Sequence, residues 1–371
     1  MDIIRIDQTH RNYDRSVSNN VGDIEVIGSF EEVMNIIEIQ RENGKEPNAY
    51  MHTRKCSIED IPIMRPDIRP LGDITKDFVE GYTYFKVPRA SSYCVGSFGY
   101  VFRTINDYLK TQNNQEPIIV CNRGTLTQFV DLIMNDRRDK QSFFLIARKG
   151  NILQLKNCKS FDCSGYGKNL GDFIGRRFEL YCTKEDGNIG IPQFEAAQHI
   201  IYKRRMGRFS FILTAEIDAL DTNDEENIQT VEIKTVQERY FRRVRGRILS
   251  DRSFRPTAIK WWTQSYLAGI TQLVIGVKSP NSDSIEDIIS ISTDEFAKQC
   301  RLDTNEIIGK LLMFMSVLYH KTNGKPGVLE LMYQYLDEVK RGEFCINSTV
   351  IPFFSNKKVH LPLSIDLPPF D

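Results

Sequence analysis

The middle of the chain alternates apolar and polar side chains with the two-residue period of β-strands. In QTVEIKTV, residues 229–236, Val231, Ile233 and Thr235 point to one face of a predicted strand. Glu232 and Lys234 therefore leave together from the opposite face. A strand with one apolar face and a carboxylate next to an ammonium on the other calls for a chemical explanation.

The preceding predicted strand, RFSFILTAEIDAL, has the same organisation. Its odd positions from Phe209 to Ala219 are apolar, and its even face ends in Glu216 and Asp218. The link DTNDEEN is polar and acidic enough to be a surface turn. We therefore predict an antiparallel hairpin that sets Glu216 and Asp218 beside Glu232 and Lys234.

A third strand is predicted from DFIGRRFELYC, where the apolar side chains fall mainly on even positions. Glu179 leaves this segment from the other face. Four carboxylates that converge in one pocket repel one another and need protons or cations to be stable at neutral pH. Divalent metals with oxygen ligands would satisfy this requirement.

Helices are predicted at FEEVMNIIEIQRENG, which ends at Gly44, and at TAIKWWTQSYLAG. Two further helices are predicted near the C-terminus, because Ser292 with Glu295 and Asp303 with Glu306 have the spacing of capping boxes. The mixture of strands and helices without a long linker predicts a single α/β (α+β) domain over residues 1–371.

The amino-acid composition limits the possible partners and compartments but indicates no specific reaction. The 49 Lys and Arg residues balance 49 Asp and Glu residues, so any affinity for polyanions must come from local patches. The eight cysteines have no zinc-like spacing and are expected to be reduced thiols of an intracellular protein. We expect no secretory signal and no membrane span, and a location in the cytoplasm with the nucleus as a second possibility.

Two other features fit a nucleic-acid substrate. Lys260 and Gln264 lie one turn apart on a predicted helix face, where they could hold a phosphate or its attacking water. Arginines and aromatic residues alternate in YKRRMGRF and in RYFRRVRGRILSDRSFR, and the second segment contains seven arginines and no lysine. Charge runs are usually solvated surface, but their position beside the acidic strands favours single-stranded nucleic acid.

The chemistry that fits best is phosphodiester cleavage, with metals activating water and Lys234 neutralising phosphate charge. Asp218 followed by Glu232-x-Lys234 resembles the PD-(D/E)XK nuclease core. The alternative is an exposed strand face on which Glu and Lys form a weak surface pair. The apolar reverse face of both strands argues against that alternative.

An ordered set of five motifs resembles the decapping exoribonuclease (DXO-like) family. The set consists of Arg123 in NRGTLTQ, Glu179 in GRRFE, EID at 216–218, EIK at 232–234 and KWWTQS at 260–265. The resemblance spans about residues 90–350 and implies two mixed β-sheets flanked by helices around a PD-(D/E)XK core. The N-terminal third differs from the fungal nuclear branch that stabilises a large exonuclease, which favours the yeast branch that works alone.

The resemblance also implies a site and an activity. Glu179, Glu216, Asp218, Glu232 and the Ile233 carbonyl would bind metal, Mg or Mn and two ions in number. Lys234 and Gln264 would contact the scissile phosphate and its attacking water, with Glu179 as a further catalytic residue, and Arg123 would bind the RNA 5′ end.

The implied activity is removal of incomplete guanosine caps or NAD caps and 5′ to 3′ degradation of RNA, with no obligate protein partner. A DNA exonuclease of the same fold and a non-catalytic RNA-binding or stabilising partner of another exonuclease remain alternatives.

Overall fold

The computed structural model describes residues 2–5, 21–37, 48–65, 99–112, 116–135, 142–158, 170–183, 197–222, 229–244, 247–279, 284–325, 327–336 and 341–347. The strands within these ranges are β1 (Asp2–Arg5), β2 (Val21–Ile37), β3 (Asn48–Lys55), β4 (Ile118–Asn122), β5 (Ser142–Lys149), β6 (Ile152–Cys158), β7 (Ala197–Met206), β8 (Phe209–Glu216), β9 (Ala219–Asp221), β10 (Gln229–Gln237), β11 (Phe241–Val244), β12 (Arg247–Ser250), β13 (Gln272–Lys278), β14 (Ile285–Ser292), β15 (Val328–Leu336) and β16 (Arg341–Asn347). The helices are α1 (Gly99–Thr111), α2 (Arg123–Asn135), α3 (Leu170–Thr183), α4 (Arg255–Leu267), α5 (Thr293–Gln299) and α6 (Thr304–Lys321), with 3₁₀ turns at Ile58–Asp60 and Arg252–Phe254.

The larger sheet has ten strands in the order β1-β16-β15-β5-β6-β4-β8-β7-β2-β3. It is mixed, since β4 runs parallel to both β6 and β8 while the other pairs are antiparallel. Helices α2 and α6 cover it, and Phe129 of α2 stacks on Phe144 of β5 with ring centroids 4.2 Å apart. The buried aromatic contact fixes α2, and therefore Arg123 at its first turn, against the sheet.

The smaller sheet has the order β14-β13-β10-β9 and is also mixed. Strand β10 pairs in parallel with β13, with Glu232 opposite Leu273 and Lys234 opposite Ile275. On its other edge β10 pairs antiparallel with β9, with Val231 opposite Ala219. Two parallel neighbours need a crossover, which β11, β12 and α4 supply. The predicted fold of two mixed sheets flanked by helices is confirmed.

The segment predicted as a third strand is instead the helix α3. Its buried residues include Phe173, Ile174, Phe178, Tyr181 and Cys182, which follow the spacing of one helix face. The apolar positions 174, 178 and 182 are four apart, and this spacing satisfies both strand parity and a helical stripe. The prediction of a strand here was wrong, although Glu179 still reaches the site from α3.

Two other predicted elements were also wrong in part. The segment predicted as a helix from residue 30 lies in β2 as far as Ile37, where it pairs with β3 and β7. Residues 38–44 lie outside the described residues. The strand Phe209–Glu216 pairs with β7 in the larger sheet rather than forming a hairpin with β10. Only the short β9 after Asp218 provides the predicted antiparallel partner of β10.

The helices predicted near the C-terminus are confirmed by their caps. The Ser292 side chain accepts a hydrogen bond from the Glu295 N–H at 3.2 Å, and Asp303 accepts one from the Glu306 N–H at 2.9 Å. Free thiols are found at Cys56, Cys121, Cys182, Cys300 and Cys345, and all of these except Cys56 are buried. None of the helices described is long and apolar enough to cross a membrane.

Candidate active site

The candidate site lies where the smaller sheet meets the end of β8. Glu216 is the last residue of β8 and is exposed, whereas Asp218 immediately precedes β9. Ile217 between them is buried and donates its N–H to the Gln198 carbonyl at 3.0 Å. Residues 217 and 218 thus connect the larger sheet to the smaller one. The Glu216 carboxylate lies at the end of the larger sheet and the Asp218 carboxylate at the start of the smaller.

Asp218 is tied to β10 by two contacts. Its Oδ2 accepts a hydrogen bond from the Ile233 N–H at 2.8 Å and lies 3.3 Å from Lys234 Nζ. Burial raises the pKa of Asp218, the Lys234 charge opposes this rise, and the negative charges of Glu232 and Glu216 add to it. Burial is therefore the main reason that the pKa of Asp218 is raised.

Glu232 is only 1% exposed and has two cationic partners. Its Oε1 lies 2.6 Å from Lys234 Nζ, and its Oε2 accepts a hydrogen bond from Arg123 Nη1 at 2.9 Å. Burial opposes the charged carboxylate, but the charges of Arg123 and Lys234 outweigh it and lower the pKa of Glu232. Glu232 therefore remains ionised inside the protein.

Glu179 reaches the same region from α3. Burial raises its pKa, the negative charges of Asp218 and Glu216 raise it further, and Lys234 acts in the opposite direction. Asp218 and Glu216 act on Glu179, and Glu232 and Glu216 act on Asp218, so Asp218 links the four predicted carboxylates electrostatically. The structure thus brings together Glu179, Glu216, Asp218 and Glu232, as the sequence predicted, although from a helix and two sheets rather than three strands.

The donor set fits a hard divalent cation by its chemistry. Four carboxylates face two cations, and the pKa values of Glu179 and Asp218 are raised by burial first and by neighbouring carboxylates second. Among the described residues, no three His, Cys, Asp or Glu side chains are already arranged around one ion position. Glu232 points its oxygens at Arg123 and Lys234 instead.

Arg123 occupies a position that the sequence did not predict. It begins α2 directly after β4, where the Asn122 side chain accepts a hydrogen bond from the Gly124 N–H at 2.6 Å. Arg123 is buried, and its Nη1 also lies 3.5 Å from the Gln264 carbonyl. The guanidinium thus links β10 to α4. Its contact with an RNA 5′ end stays a prediction.

Lys260 is engaged with a residue that sequence reasoning missed. Its Nζ lies 3.0 Å from Asp131 Oδ2, and the Asp131 side chain is 0% exposed. Asp131 Oδ1 also accepts a hydrogen bond from Asn135 Nδ2 at 2.8 Å. A single carboxylate within the apolar stretch FVDLIM was the available sequence signal. The Lys260 ammonium joins α4 to α2, one turn away from Gln264.

The chain is similar to known proteins over most of its length. Residues 54–348 match the family model described as RAI1 like PD-(D/E)XK nuclease. A decapping and exoribonuclease protein of Mus musculus is 28% identical over 116 residues, which is 29% of this chain and 28% of the length of that relative.

Two solved structures share the fold. Candida albicans Rai1 in complex with pU5-Mn2+ has a TM-score of 0.61 at 15% identity, covering 88% of this chain and 89% of that one. K. lactis Dxo1 in complex with manganese has a TM-score of 0.58 at 13% identity, covering 90% and 92%. The family model matches most of the chain, including every residue of the candidate site, and the protein therefore belongs to the RAI1-like PD-(D/E)XK nuclease family.

Proposed function

We propose that the protein is a metal-dependent hydrolase of RNA 5′ ends, which removes incomplete or aberrant guanosine caps and NAD caps and degrades RNA in the 5′ to 3′ direction. The observation that carries the proposal is the buried cluster of Asp218, Glu232 and Lys234, which Glu179 joins from α3. Support also comes from the relative named as a decapping and exoribonuclease protein and from the pU5-Mn2+ complex of C. albicans Rai1.

Glu179, Glu216, Asp218, Glu232 and the Ile233 carbonyl would hold the metal, for which we propose two ions of Mg or Mn. When bound, such ions supply Lewis-acid activation of water and neutralise charge at the leaving oxygen. The hydrogen bond from the Ile233 N–H fixes one oxygen of Asp218, leaving Oδ1 for an ion.

Lys234 is the residue assigned to the scissile phosphate. Its ammonium is held between Asp218 and Glu232 and is only partly exposed, so its position is fixed before substrate arrives. The same carboxylates raise the pKa of Lys234 and keep it charged, although burial alone would lower that pKa. A fixed cation at this point stabilises negative charge that grows on phosphate oxygens in the transition state.

Gln264 is assigned to orienting the phosphate or its attacking water. The Arg123 guanidinium holds the Gln264 carbonyl, and the Lys260–Asp131 pair holds the same helix one turn earlier. The first contact links α4 to β10 through Glu232 and the second links α4 to α2, so the helix backbone that carries Gln264 is held in place. Positioning of this kind is a major source of rate in reactions that need aligned groups.

The test is a panel of RNAs of one sequence with monophosphate, triphosphate, unmethylated-cap, methylated-cap and NAD 5′ ends, each incubated with Mg2+ and with Mn2+. We expect product from the wild-type protein with at least one end, and loss of at least a hundredfold in rate for Glu232→Gln and Lys234→Met. Glu286→Gln is the matched control, because Glu286 is exposed on β14 of the same sheet and should retain activity.

Circular dichroism of each variant separates loss of chemistry from loss of fold. DNA of the same sequence, tested in parallel, decides between RNA and DNA as substrate. Absence of product from every 5′ end at saturating manganese would overturn the proposal in favour of a non-catalytic RNA-binding role. We further propose that the chain acts as one domain, without an obligate protein partner, in the cytoplasm and also in the nucleus.

A further inference from the structure

An arginine-rich pair of strands, β11 and β12, forms a small sheet of its own beside β14. It comprises the turn at 238–240 with β11 and β12, and we call residues 238–244 and 247–250 the arginine ribbon. Its base is rigid, because Phe241 is fully buried and its ring lies 5.8 Å from that of Phe254 and 5.6 Å from that of Phe296. The ribbon is therefore a fixed part of the fold rather than a loose loop.

The ribbon joins β10, which carries Lys234, to α4, which carries Gln264. It follows β10, and Arg239 comes five residues after Lys234, at most about 17 Å along an extended chain. The same connection leads into α4, in which Arg255 precedes Gln264 by nine residues, or about 14 Å of helix. The ribbon thus lies at the shared end of β10 and α4, a short distance from the groups assigned to the phosphate.

Arg242 and Arg243 of the ribbon have weak partners. The Arg242 side chain is 50% exposed, with Nη1 4.0 Å from Glu238, and that of Arg243 is 44% exposed, with Nε 3.8 Å from Asp287. Exposed pairs of this length contribute little, about 0–1 kcal/mol, and a phosphate can replace the carboxylate. The exposed Arg239 lies over the Tyr240 ring at 4.5 Å, which places a cation beside an aromatic surface.

The other arginine-rich segment, between β7 and β8, is different. Arg204 is buried over the Tyr266 ring at 4.4 Å, and Arg205 lies 2.9 Å from Glu116. Arg208 packs over the Phe209 ring at 4.9 Å. These arginines already serve contacts within the fold. The sequence treated both segments alike. In the structure Arg204 is buried and Arg205 is paired at 2.9 Å, whereas the ion pairs of Arg242 and Arg243 in the ribbon are 4.0 and 3.8 Å long.

We propose that the arginine ribbon binds the phosphates of single-stranded RNA downstream of the 5′ end that occupies the site, an inference that rests on the proposed function. Arg239, Arg242 and Arg243 supply the cations, and Tyr240 supplies a ring edge beside them. The whole chain has no net charge, so a local arginine cluster is needed to retain a long polyanion. Short substrates would end before the ribbon and gain nothing from it.

The experiment compares the wild-type protein with the triple variant Arg239→Gln, Arg242→Gln and Arg243→Gln. Binding of a fluorescent 20-nucleotide RNA and of a trinucleotide, both single-stranded, is measured in EDTA over a range of salt concentrations. Three lost phosphate contacts should lower the slope of log K against log salt by about 2 for the long RNA and leave the trinucleotide unchanged. Arg205→Gln is the matched control, with a side chain that is 57% exposed, and should bind as the wild type does.

Initial rates on 5′-monophosphate RNAs of both lengths complete the test. We expect KM to rise about tenfold for the long RNA alone, with kcat unchanged. Equal losses for both lengths, or wild-type binding of the long RNA by the triple variant, would overturn the proposal and leave the ribbon to an acidic protein partner. If wild-type protein binds RNA through the ribbon but hydrolyses no 5′ end, the proposed function fails and this inference stands.

Discussion

Replacing Arg123 by Met should destabilise the protein by a calculable amount. The change removes one of the two cations that contact Glu232, which is 1% exposed. Breaking a buried ion pair by removing one partner costs about 3–5 kcal/mol when the remaining charge has no other partner. Glu232 keeps Lys234 at 2.6 Å, so we expect the smaller cost of about 2–3 kcal/mol.

The loss can be read as a change in melting temperature. An unfolding entropy of about 2.1 cal/mol/K per residue gives about 0.8 kcal/mol/K for 371 residues, so Tm should fall by about 3–4 °C. Thermal unfolding is followed by circular dichroism in EDTA for Arg123→Met, Glu232→Gln and the double variant. The double variant should lose less than the sum of the single losses, because it removes both charges together.

Arg205→Met is the control, since it breaks a pair of the same length, 2.9 Å to Glu116, between exposed side chains. Its effect should stay under about 1 kcal/mol. Two results would contradict this role of Arg123: Arg123→Met melts at the wild-type temperature, or the two single losses simply add. Either result would mean that Arg123 does not stabilise the Glu232 carboxylate.

Three further changes test how the elements around the site are held. Lys260→Met should lower the free energy of unfolding by about 1–3 kcal/mol, because it removes the cation that faces the buried Asp131 carboxylate; the 31% exposure of the Lys260 side chain keeps the cost moderate. Hydrogen exchange should become faster in α4, and adding Asp131→Asn should restore part of the lost stability. Gly276→Ala should cost about 1–3 kcal/mol in urea unfolding, because its Cβ would meet the ring of Phe178 at 2.9 Å, and Phe178→Leu should lessen that cost. Asp303→Ala should cost about 1 kcal/mol through loss of the α6 cap, and an unchanged urea midpoint would contradict the capping role.

The strand parity of the sequence predicted which side chains would share a face, and this part held for β10. Glu232 and Lys234 do meet each other, and Val231 and Ile233 are buried on the reverse face. Parity is a local property set by backbone geometry, so a single sequence suffices to read it. The same local pattern was ambiguous in α3, because a four-residue spacing of apolar side chains fits either type of element.

The sequence did not predict which distant strands pair with each other. Strand β8 has the parity expected of a neighbour of β10, but it pairs with β7 and β4 in the larger sheet. The segment 208–220 divides at Ile217 between two sheets, and nothing in its residue types marks that point. Pairing depends on the burial of whole faces against partners far along the chain, which local patterns do not encode.

The sequence also did not predict which carboxylates pair with Arg123 and Lys260. The family resemblance placed Arg123 at the site and helix spacing placed Lys260 at its edge, and both helices that carry them do flank it. Each cation nevertheless contacts a buried carboxylate, Glu232 or Asp131, and not an open surface. Ion pairs of this kind are decided by distances of a few ångströms between packed helices, which follow only from the folded core.

The passage from Glu216 to Asp218 has a consequence for how the protein responds to ligands. One carboxylate belongs to the end of the larger sheet and the other to the start of the smaller, so any cation held by both acts as a brace between the sheets. Binding of the cation would then stabilise the folded protein by about 2.7 kcal/mol at a free cation concentration of a hundred times the Kd. The melting temperature, measured with each cation in turn, would therefore rank the cations by affinity without any measurement of activity.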